Sequence, residues 1–261
     1  MKKFITALAA GSMALSMAAC SSTGDTNSDA DASKGDAKEI LIGISPDYPP
    51  YESSNTAGEI EGFDIDMTKW LFDYLNENGH NYTYDFVEQS FDTIISSLQA
   101  GQIDLGISGF TYSEDREGIF SDSYYDSAQV IVVRADSDIK SSADLAGKNV
   151  GAQQGATGEQ CANDIEGVGE VRAVSDVKSL MESLKGDQLD AVVIDKAVAD
   201  NYASTGDFKV LDGQLLVEED VIYTTEDHKE LLDEINGAIK AFKESGEYEE
   251  LTQKWFASNN E

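Results

Sequence analysis

Arginine is scarce in this chain, and one of its three arginines stands in a short polar segment with the composition of a loop. The segment "SGFTYSEDREGIF" begins at Ser108 and places Arg116 after a run of Gly, Thr, Ser and acidic residues. The planar guanidinium group of arginine binds a carboxylate through two parallel hydrogen bonds. Arg116 is therefore a candidate carboxylate-binding residue. The alternative is a surface ion pair with one of its acidic neighbours, Glu114, Asp115 or Glu117.

Two other candidates follow from a weak internal similarity. The segment "SLQAGQIDLGIS" ends at Ser108, and "SLKGDQLDAVVID" ends at Asp195. Each has the pattern of a helix end, a glycine, a short turn and a strand, which suggests two α/β units of similar design. Open α/β sheets bind ligands beyond the carboxyl ends of their strands. Ser108 and Asp195 are therefore predicted at the edges of a ligand site, one in each unit.

Apolar patterns predict the strands and helices that must position these residues. Residues Glu39 to Ile44 form a β-branched apolar run typical of a buried strand. "NYTYDFV" and "IDLGIS" predict two further strands, and the order of elements predicts parallel sheets with helices on both faces. Two helices are predicted from apolar spacings of three and four, at Phe63, Met67, Trp70, Leu71 and Tyr74, and at Phe91, Ile94, Ile95 and Leu98. Regular structure is not expected around Pro46, Pro49 and Pro50.

The N-terminal segment predicts export. "MKKFITALAAGSMALSMAAC" has a basic start, a short apolar stretch and then small residues, so residues 1–19 are interpreted as a signal peptide. Its end resembles a bacterial lipobox, with Met17 in place of the more usual leucine. The resemblance implies a lipidated N-terminal Cys20, whereas the alternative is an ordinary secreted protein cleaved near that residue. Residues 20–38 are polar, lack apolar periodicity and are predicted to form a flexible acidic tether.

Composition excludes several kinds of function. The formal net charge of −32 argues against nucleic-acid binding, because phosphates attract clustered Lys and Arg. Cys161 is the one cysteine of the predicted mature body and cannot form an internal disulfide. It is interpreted as a small apolar side chain, and the alternative of a Cys–His nucleophile pair has no supporting motif. Because His80 and His228 lack metal-ligand spacing, we predict neither a metal site nor a cofactor.

Six segments occur in one order and together carry a resemblance. They are "ISPDYPPYE", "EGFDIDM", "FDTIISSLQAGQIDLGISGFTYSEDREGIFSDSYY", "VGAQQGATGE", "DAVVID" and "GEYEELTQKWF". From Glu39 to Phe256 the chain resembles the family 3 extracellular solute-binding proteins, the polar amino-acid receptors of ABC importers. The resemblance implies an α/β, periplasmic-binding-protein-like type II fold, in which two α/β lobes are joined by two strand crossings and enclose a ligand cleft.

The lobe boundaries are predicted from the same resemblance. Lobe 1 is expected at residues 39–129 and 220–261, and lobe 2 at residues 130–219. The crossings are expected near Ala128–Val130 in "SAQVIVV" and near Glu219–Val221 in "EEDVIYTT". The C-terminal helices are expected to pack against lobe 1.

The resemblance also implies how the two charged ends of an amino acid are held. Arg116 matches the carboxylate-binding arginine of the family, and Gly109 and Thr111 match positions that hold the same end through backbone groups and a hydroxyl. Thr157, in the opposite lobe, matches a hydroxyl that assists the carboxylate. Asp195 matches the aspartate that pairs with the ammonium group. A zwitterion held between Arg116 and Asp195 would then bridge the two lobes.

Aromatic side chains are expected to form the walls of the site. Tyr48 and Phe91 match positions that enclose the ligand side chain, while Tyr51 is either a wall or a core residue. The chain departs from the family at Ala156, where a hydroxyl is common, and at Ser45, where receptors for basic ligands often carry an acid. Ser45 argues against a basic ligand, but other acids stand nearby in the sequence, namely Asp47, Glu52 and Glu61. The identity of the amino acid therefore stays open.

Together these features predict the extracellular substrate-binding component of an amino-acid ABC importer. It would capture a free amino acid by lobe closure, perform no chemistry on it and deliver it to a membrane permease. The protein is expected to be a monomer, lipid-anchored on the outer face of a Gram-positive cell membrane. Two alternatives remain: an exported dehydratase of small acids with the same fold, for which no acid–base pair stands out, and the ligand-binding module of a sensory system.

Overall fold

A computed structural model of the chain describes residues 36–114 and 116–256. The predicted signal peptide and Cys20 lie outside the described residues, as does most of the predicted tether. The α-helices within the described residues are α1 (Phe63–Glu77), α2 (Phe91–Gln99), α3 (Thr157–Asn163), α4 (Val177–Lys185), α5 (Lys196–Ala203), α6 (Lys229–Lys243) and α7 (Gly246–Phe256). No helix in this part of the chain is both long enough and apolar enough to span a membrane.

The described residues also contain fourteen short or medium-length strands. They are β1 (Lys38–Ile44), β2 (Asp47–Tyr48), β3 (Glu52–Ser54), β4 (Ile60–Glu61), β5 (Tyr82–Glu88), β6 (Leu105–Gly106), β7 (Ile119–Phe120), β8 (Tyr125–Arg134), β9 (Asn149–Gln153), β10 (Glu170–Val174), β11 (Ala191–Asp195), β12 (Phe208–Val210), β13 (Leu216–Asp220) and β14 (Tyr223–Thr224). The two N-terminal helices and the strands expected at β1, β5 and β6 are confirmed. The proline-rich segment differs from expectation, because β2 pairs with β3 as a short antiparallel ladder.

The first large sheet has the strand order β5-β1-β6-β14-β7. Strand β1 runs parallel to β5 and β6, while β14 runs antiparallel to β6 and β7. Alternate side chains of β1 face opposite sides, since Ile40 and Ile42 pack with α1 whereas Leu41 packs with residues of α2. The expectation of helices on both faces is therefore met in this sheet.

The second large sheet has the order β10-β9-β11-β8-β12, with β13 also paired to β8. Strands β9, β10 and β11 are parallel, but β8 is antiparallel to β11, β12 and β13. The prediction of parallel sheets is thus wrong for both sheets, which are mixed. The physical reason is the chain path: β8 leads from the first sheet into the second, and β13 returns beside it in the opposite direction.

The C-terminal helices complete the first core. Helices α6 and α7 pack against α1, and α6 contributes Ile235 and Phe242 to the same apolar cluster as Phe63. Gly62 makes the start of α1 possible, because its φ is 147° and a Cβ there would lie 2.1 Å from the Tyr51 carbonyl oxygen. This close approach of β3 and α1 brings their acidic residues together.

Candidate functional site

Arg116 reaches elements of both sheets. Its Nη1 donates to the carbonyl oxygen of Thr111, and its Nη2 donates to the carbonyl oxygen of Gly155 at 3.0 Å. The guanidinium carbon lies 5.4 Å from the ring centre of Phe110 and 5.7 Å from that of Phe91. Burial lowers the pKa of Arg116, but an arginine stays protonated at neutral pH. The site therefore holds a half-buried positive charge next to two aromatic rings.

The alternative for Arg116 was a surface ion pair. Among the described residues it forms no ion pair with Glu114 or Glu117, and Asp115 lies outside them. Beside Arg116 a cavity of about 460 Å³ is lined by Gly155, Ala156 and Thr157, among others. This volume is in the range of small-molecule sites.

A buried acid holds the loop that precedes Arg116. The Asp64 carboxylate accepts hydrogen bonds from the backbone N–H of Gly109 at 2.9 Å and from the Tyr124 hydroxyl at 3.1 Å. Burial raises the pKa of Asp64 to about 6, although these two hydrogen bonds counteract it. The sequence analysis missed this role. Its signal was an acid at the start of a helix whose other inward positions, apart from Thr68, are apolar.

A second buried acid, Glu52, holds the residue before Gly109. Its Oε1 accepts from the Ser108 hydroxyl at 2.7 Å, and the oxygen of that hydroxyl accepts from the backbone N–H of Ser45 at 3.1 Å. Burial, followed by the nearby charge of Asp64, raises the pKa of Glu52 well above its ordinary value. Burial and the facing carboxylate of Asp64 both favour the neutral form of Glu52. Ser45 thus supports the loop through its backbone, while its own hydroxyl donates to Asp47 at 2.8 Å.

A chain of polar side chains connects the two sheets. The hydroxyl oxygens of Thr111 and Thr157 lie 3.2 Å apart. The amide Nε2 of Gln129 donates to the Thr157 hydroxyl at 3.2 Å and to Oε1 of Glu218 at 2.5 Å. Gln129 and Glu218 stand on the paired strands β8 and β13, and all four side chains are buried. Neither Gln129 nor Glu218 was predicted. Gln129 is a polar residue in the apolar part of β8, whereas Glu218 is one of three consecutive acids in β13 and carries no such signal.

Asp195 lies at the end of β11, where the sequence placed it, and is buried. Its carboxylate accepts hydrogen bonds from the Tyr48 hydroxyl and, at 2.5 Å, from the Ser127 hydroxyl. Burial, together with the charge of Glu218, raises the pKa of Asp195 to about 7. A cationic group placed next to this carboxylate would favour its ionised form. Asp195 is therefore suited to receive an ammonium group.

The predicted aromatic walls differ in their surroundings. Phe91 stacks on Phe110 at 4.4 Å between ring centres, on the face that meets Arg116. Tyr48 stacks on Tyr51 at 5.9 Å. Tyr51 is fully buried behind it, which favours the core role that the sequence left open. The structure thus brings Phe91 to the arginine and Tyr48 to the aspartate.

Cys161, His80 and His228 are the other candidate reactive residues within the described part of the chain. Cys161 is half-buried, and burial raises the pKa of its thiol to about 11, so the thiol is protonated and weakly nucleophilic. Nδ1 of His80 lies 3.4 Å from Oε2 of Glu234, and Nε2 of His228 lies 3.5 Å from Oδ1 of Asp104. Across residues 36–114 and 116–256, no group of His, Cys, Asp and Glu is arranged to hold a metal ion.

Comparisons with known proteins agree with this architecture. Residues 40–258 match the family described as bacterial extracellular solute-binding proteins, family 3. The arginine-binding extracellular protein ArtP of Bacillus subtilis is 31% identical, over 98% of each chain. A solved substrate-binding protein of an amino-acid ABC transporter is 34% identical, with a TM-score of 0.78 over 85% of this chain and all of that one.

A third similar protein has a solved structure with a bound amino acid. An ancestral arginine-binding protein bound to glutamine is 34% identical, with a TM-score of 0.78 over 84% of this chain and 98% of that one. All three similar proteins are named for binding rather than for catalysis. The chain therefore belongs to the family 3 bacterial extracellular solute-binding proteins and has their type II periplasmic-binding-protein fold.

Proposed function

We propose that this protein is the extracellular ligand-binding component of an amino-acid ABC importer, and that Arg116 and Asp195 hold the two charged ends of the ligand. The observation that carries the proposal is the pair itself. A half-buried guanidinium stands in the loop that precedes β7 of the first sheet, and a buried carboxylate ends β11 of the second sheet, with polar side chains between them. An α-amino acid carries the complementary carboxylate and ammonium groups on one carbon. The similar proteins are named for binding arginine, histidine or glutamine.

Contacts between the two proposed lobes support capture of the ligand by closure. Tyr48 to Asp195, Arg116 to Gly155 and Thr111 to Thr157 each join a residue of lobe 1 to a residue of lobe 2. A bound amino acid would replace some of these hydrogen bonds with bonds to itself. It would also add charge-assisted hydrogen bonds to Arg116 and Asp195. Since ligand shifts an equilibrium only by binding one form better, these added bonds favour closure of lobe 1, at 39–129 and 220–261, on lobe 2, at 130–219. The hinge is the antiparallel pair of β8 and β13.

The remaining parts of the proposal concern location and delivery. The lipobox-like end of the signal sequence supports acylation of Cys20, with residues 21–38 as a spacer on the outer face of the membrane. Two acyl chains give stable attachment, whereas one chain holds a protein only marginally. The protein acts as a monomer that presents its closed form to a permease, with no cofactor.

The experiment is a calorimetric titration with arginine, histidine and glutamine, followed by two arginine analogues. Agmatine lacks the carboxylate that Arg116 would bind, and N-acetylarginine lacks the ammonium group that Asp195 would bind. We expect micromolar binding of at least one amino acid, about −8 kcal/mol, and at least tenfold weaker binding of both analogues. If the analogues bind as well as arginine, the two residues do not hold the ends of the ligand. Uptake of the radiolabelled ligand by cells with and without the protein then tests delivery.

A further inference from the structure

The site contains one more acid than the pair that would hold an amino acid. Glu218 stands on β13 with only 9% of its surface exposed. Its Oε1 is held by Nε2 of Gln129 at 2.5 Å. Its other oxygen, Oε2, is buried and accepts no hydrogen bond within the described residues, and the same holds for Oε1 of Gln129. Both buried acceptor atoms therefore lack a donor among the described residues, which is costly unless a ligand supplies one.

The position of Glu218 is fixed by its neighbours. The Gln129 side chain is itself held by hydrogen bonds to Thr157 and Glu218. It fits against α3 because residue 158 is a glycine, where a Cβ would lie 2.7 Å from Oε1 of Gln129. Ser127, which binds Asp195, is the direct partner of Glu218 across the β8–β13 ladder. The strand pairing thus places Glu218 and Asp195 on the same side of the hinge.

Charge balance gives this arrangement a consequence. The groups that interact electrostatically with Glu218 include Arg116, Asp195, Asp220, Tyr48 and the Cys161 thiol. Burial raises the pKa of Asp220 well above its ordinary value and favours its neutral form. With Asp220 in that form, Arg116 is the one positive group among these, and Asp195 and Glu218 are the acids that it faces. A zwitterion with a neutral side chain adds no net charge and leaves one buried acid uncompensated. An amino acid with a positively charged side chain brings the site to neutrality, which matters in a poorly solvated cleft.

We propose that Glu218, positioned by Gln129, is a further specificity-determining residue and selects amino acids that carry a net positive charge. The inference rests on the proposed function. It also revises the expectation from Ser45, because the acid that is absent there is supplied from the crossing strand β13. Donors of the cationic ligand satisfy Oε2 of Glu218, and the neutral Gln129 fixes the carboxylate without cancelling its charge.

The test compares arginine with citrulline, which has nearly the same shape and no side-chain charge. We expect the parent protein to bind arginine at least tenfold more tightly than citrulline. Glu218→Gln keeps the shape and removes the charge, so it should narrow this ratio at least tenfold while citrulline affinity changes little. Glu219→Gln, at the exposed neighbouring position, is the matched control and should keep the parent ratio.

Three outcomes would overturn the inference. In the first, the parent protein binds arginine and citrulline equally well. In the second, Glu218→Gln keeps the parent ratio of the two affinities. In the third, Glu218→Gln loses affinity for both ligands equally, because Glu218 faces the ammonium group that they share. The first outcome is measured on the parent alone, so it does not depend on whether the variant folds. In each of these cases binding that Arg116→Ala weakens at least about thirtyfold leaves the proposed function standing. Parent-like binding in Arg116→Ala contradicts the proposed function instead.

Discussion

Replacing Arg116 with alanine should separate ligand affinity from stability. In the unliganded protein the guanidinium makes two hydrogen bonds, to the carbonyls of Thr111 and Gly155. Charge-assisted bonds contribute about 1.5–3 kcal/mol each, but burial of the charge opposes them, as the lowered pKa of Arg116 indicates. We therefore expect the free energy of unfolding to change by only about 1 kcal/mol. A ligand carboxylate, by contrast, loses its cationic partner, which costs about 2–5 kcal/mol and weakens binding at least about thirtyfold.

The assay is calorimetry with the tightest-binding amino acid, combined with thermal unfolding of each variant. Arg134→Ala is the informative control, because Arg134 donates to the carbonyls of Leu184 and Leu189 and pairs with Asp187 at 2.5 Å, far from the proposed ligand groups. It should lower stability and leave affinity unchanged. Arg116→Lys should bind poorly, since an ammonium group cannot reproduce the planar fork. Parent-like affinity in Arg116→Ala, with loss in Arg134→Ala, would refute the assignment of the carboxylate site.

Three further predictions concern pH, packing and anchoring. Burial raises the pKa of Asp195 to about 7 and that of Asp64 to about 6, so the folded state binds more protons than the unfolded chain between about pH 4 and 7. The unliganded protein should therefore lose melting temperature from pH 5 to pH 8, whereas ligand affinity should rise as Asp195 ionises; a melting temperature that increases over this range would contradict the burial argument. Gly62→Ala should destabilise the fold by about 3 kcal/mol or more in denaturant unfolding, because the added Cβ would lie 2.1 Å from the Tyr51 carbonyl oxygen. Gly237→Ala in α6 is the control. Its added Cβ meets open space, so it should stabilise the fold by up to about 1 kcal/mol. Cys20→Ala should move the protein from the membrane fraction to the medium, and a variant that stays membrane-bound would exclude the lipid anchor.

Much of the fold was predictable because local patterns agree with it. The apolar run before Ser45 forms β1, and the three-and-four spacing after Gly62 forms α1. What the pattern could not supply was strand direction. The pairing of β8 with β13 is antiparallel although the units around it have the α/β pattern, and the direction depends on the route of the chain between sheets. Periodicity within a segment carries no information about that route.

The surroundings of two candidate residues were predictable, while their roles toward a ligand stay predictions. Arg116 and Asp195 stand out as a rare arginine in a loop and an acid at a strand end; the first is half-buried and the second buried, each beside polar partners. The roles of Asp64 and Gln129 were not accessible in this way. Each is one polar residue within an apolar segment, and its meaning depends on a partner 45 or 89 positions away.

The sequence alone determined the family, the order of the elements and the two charged residues proposed to hold the ligand, because ordered motifs and strand ends are local features. Only the tertiary structure decided how many acids surround Arg116. Glu218 reads in the chain as one of several acids in "VEEDVIY", where its neighbour Glu219 is exposed. The β8–β13 register turns Glu218 inward, beside Gln129. Asp220, two residues further along β13, is turned inward as well. Which acid is buried depends on which face of a strand meets the cleft, and that choice is made only when distant strands pair.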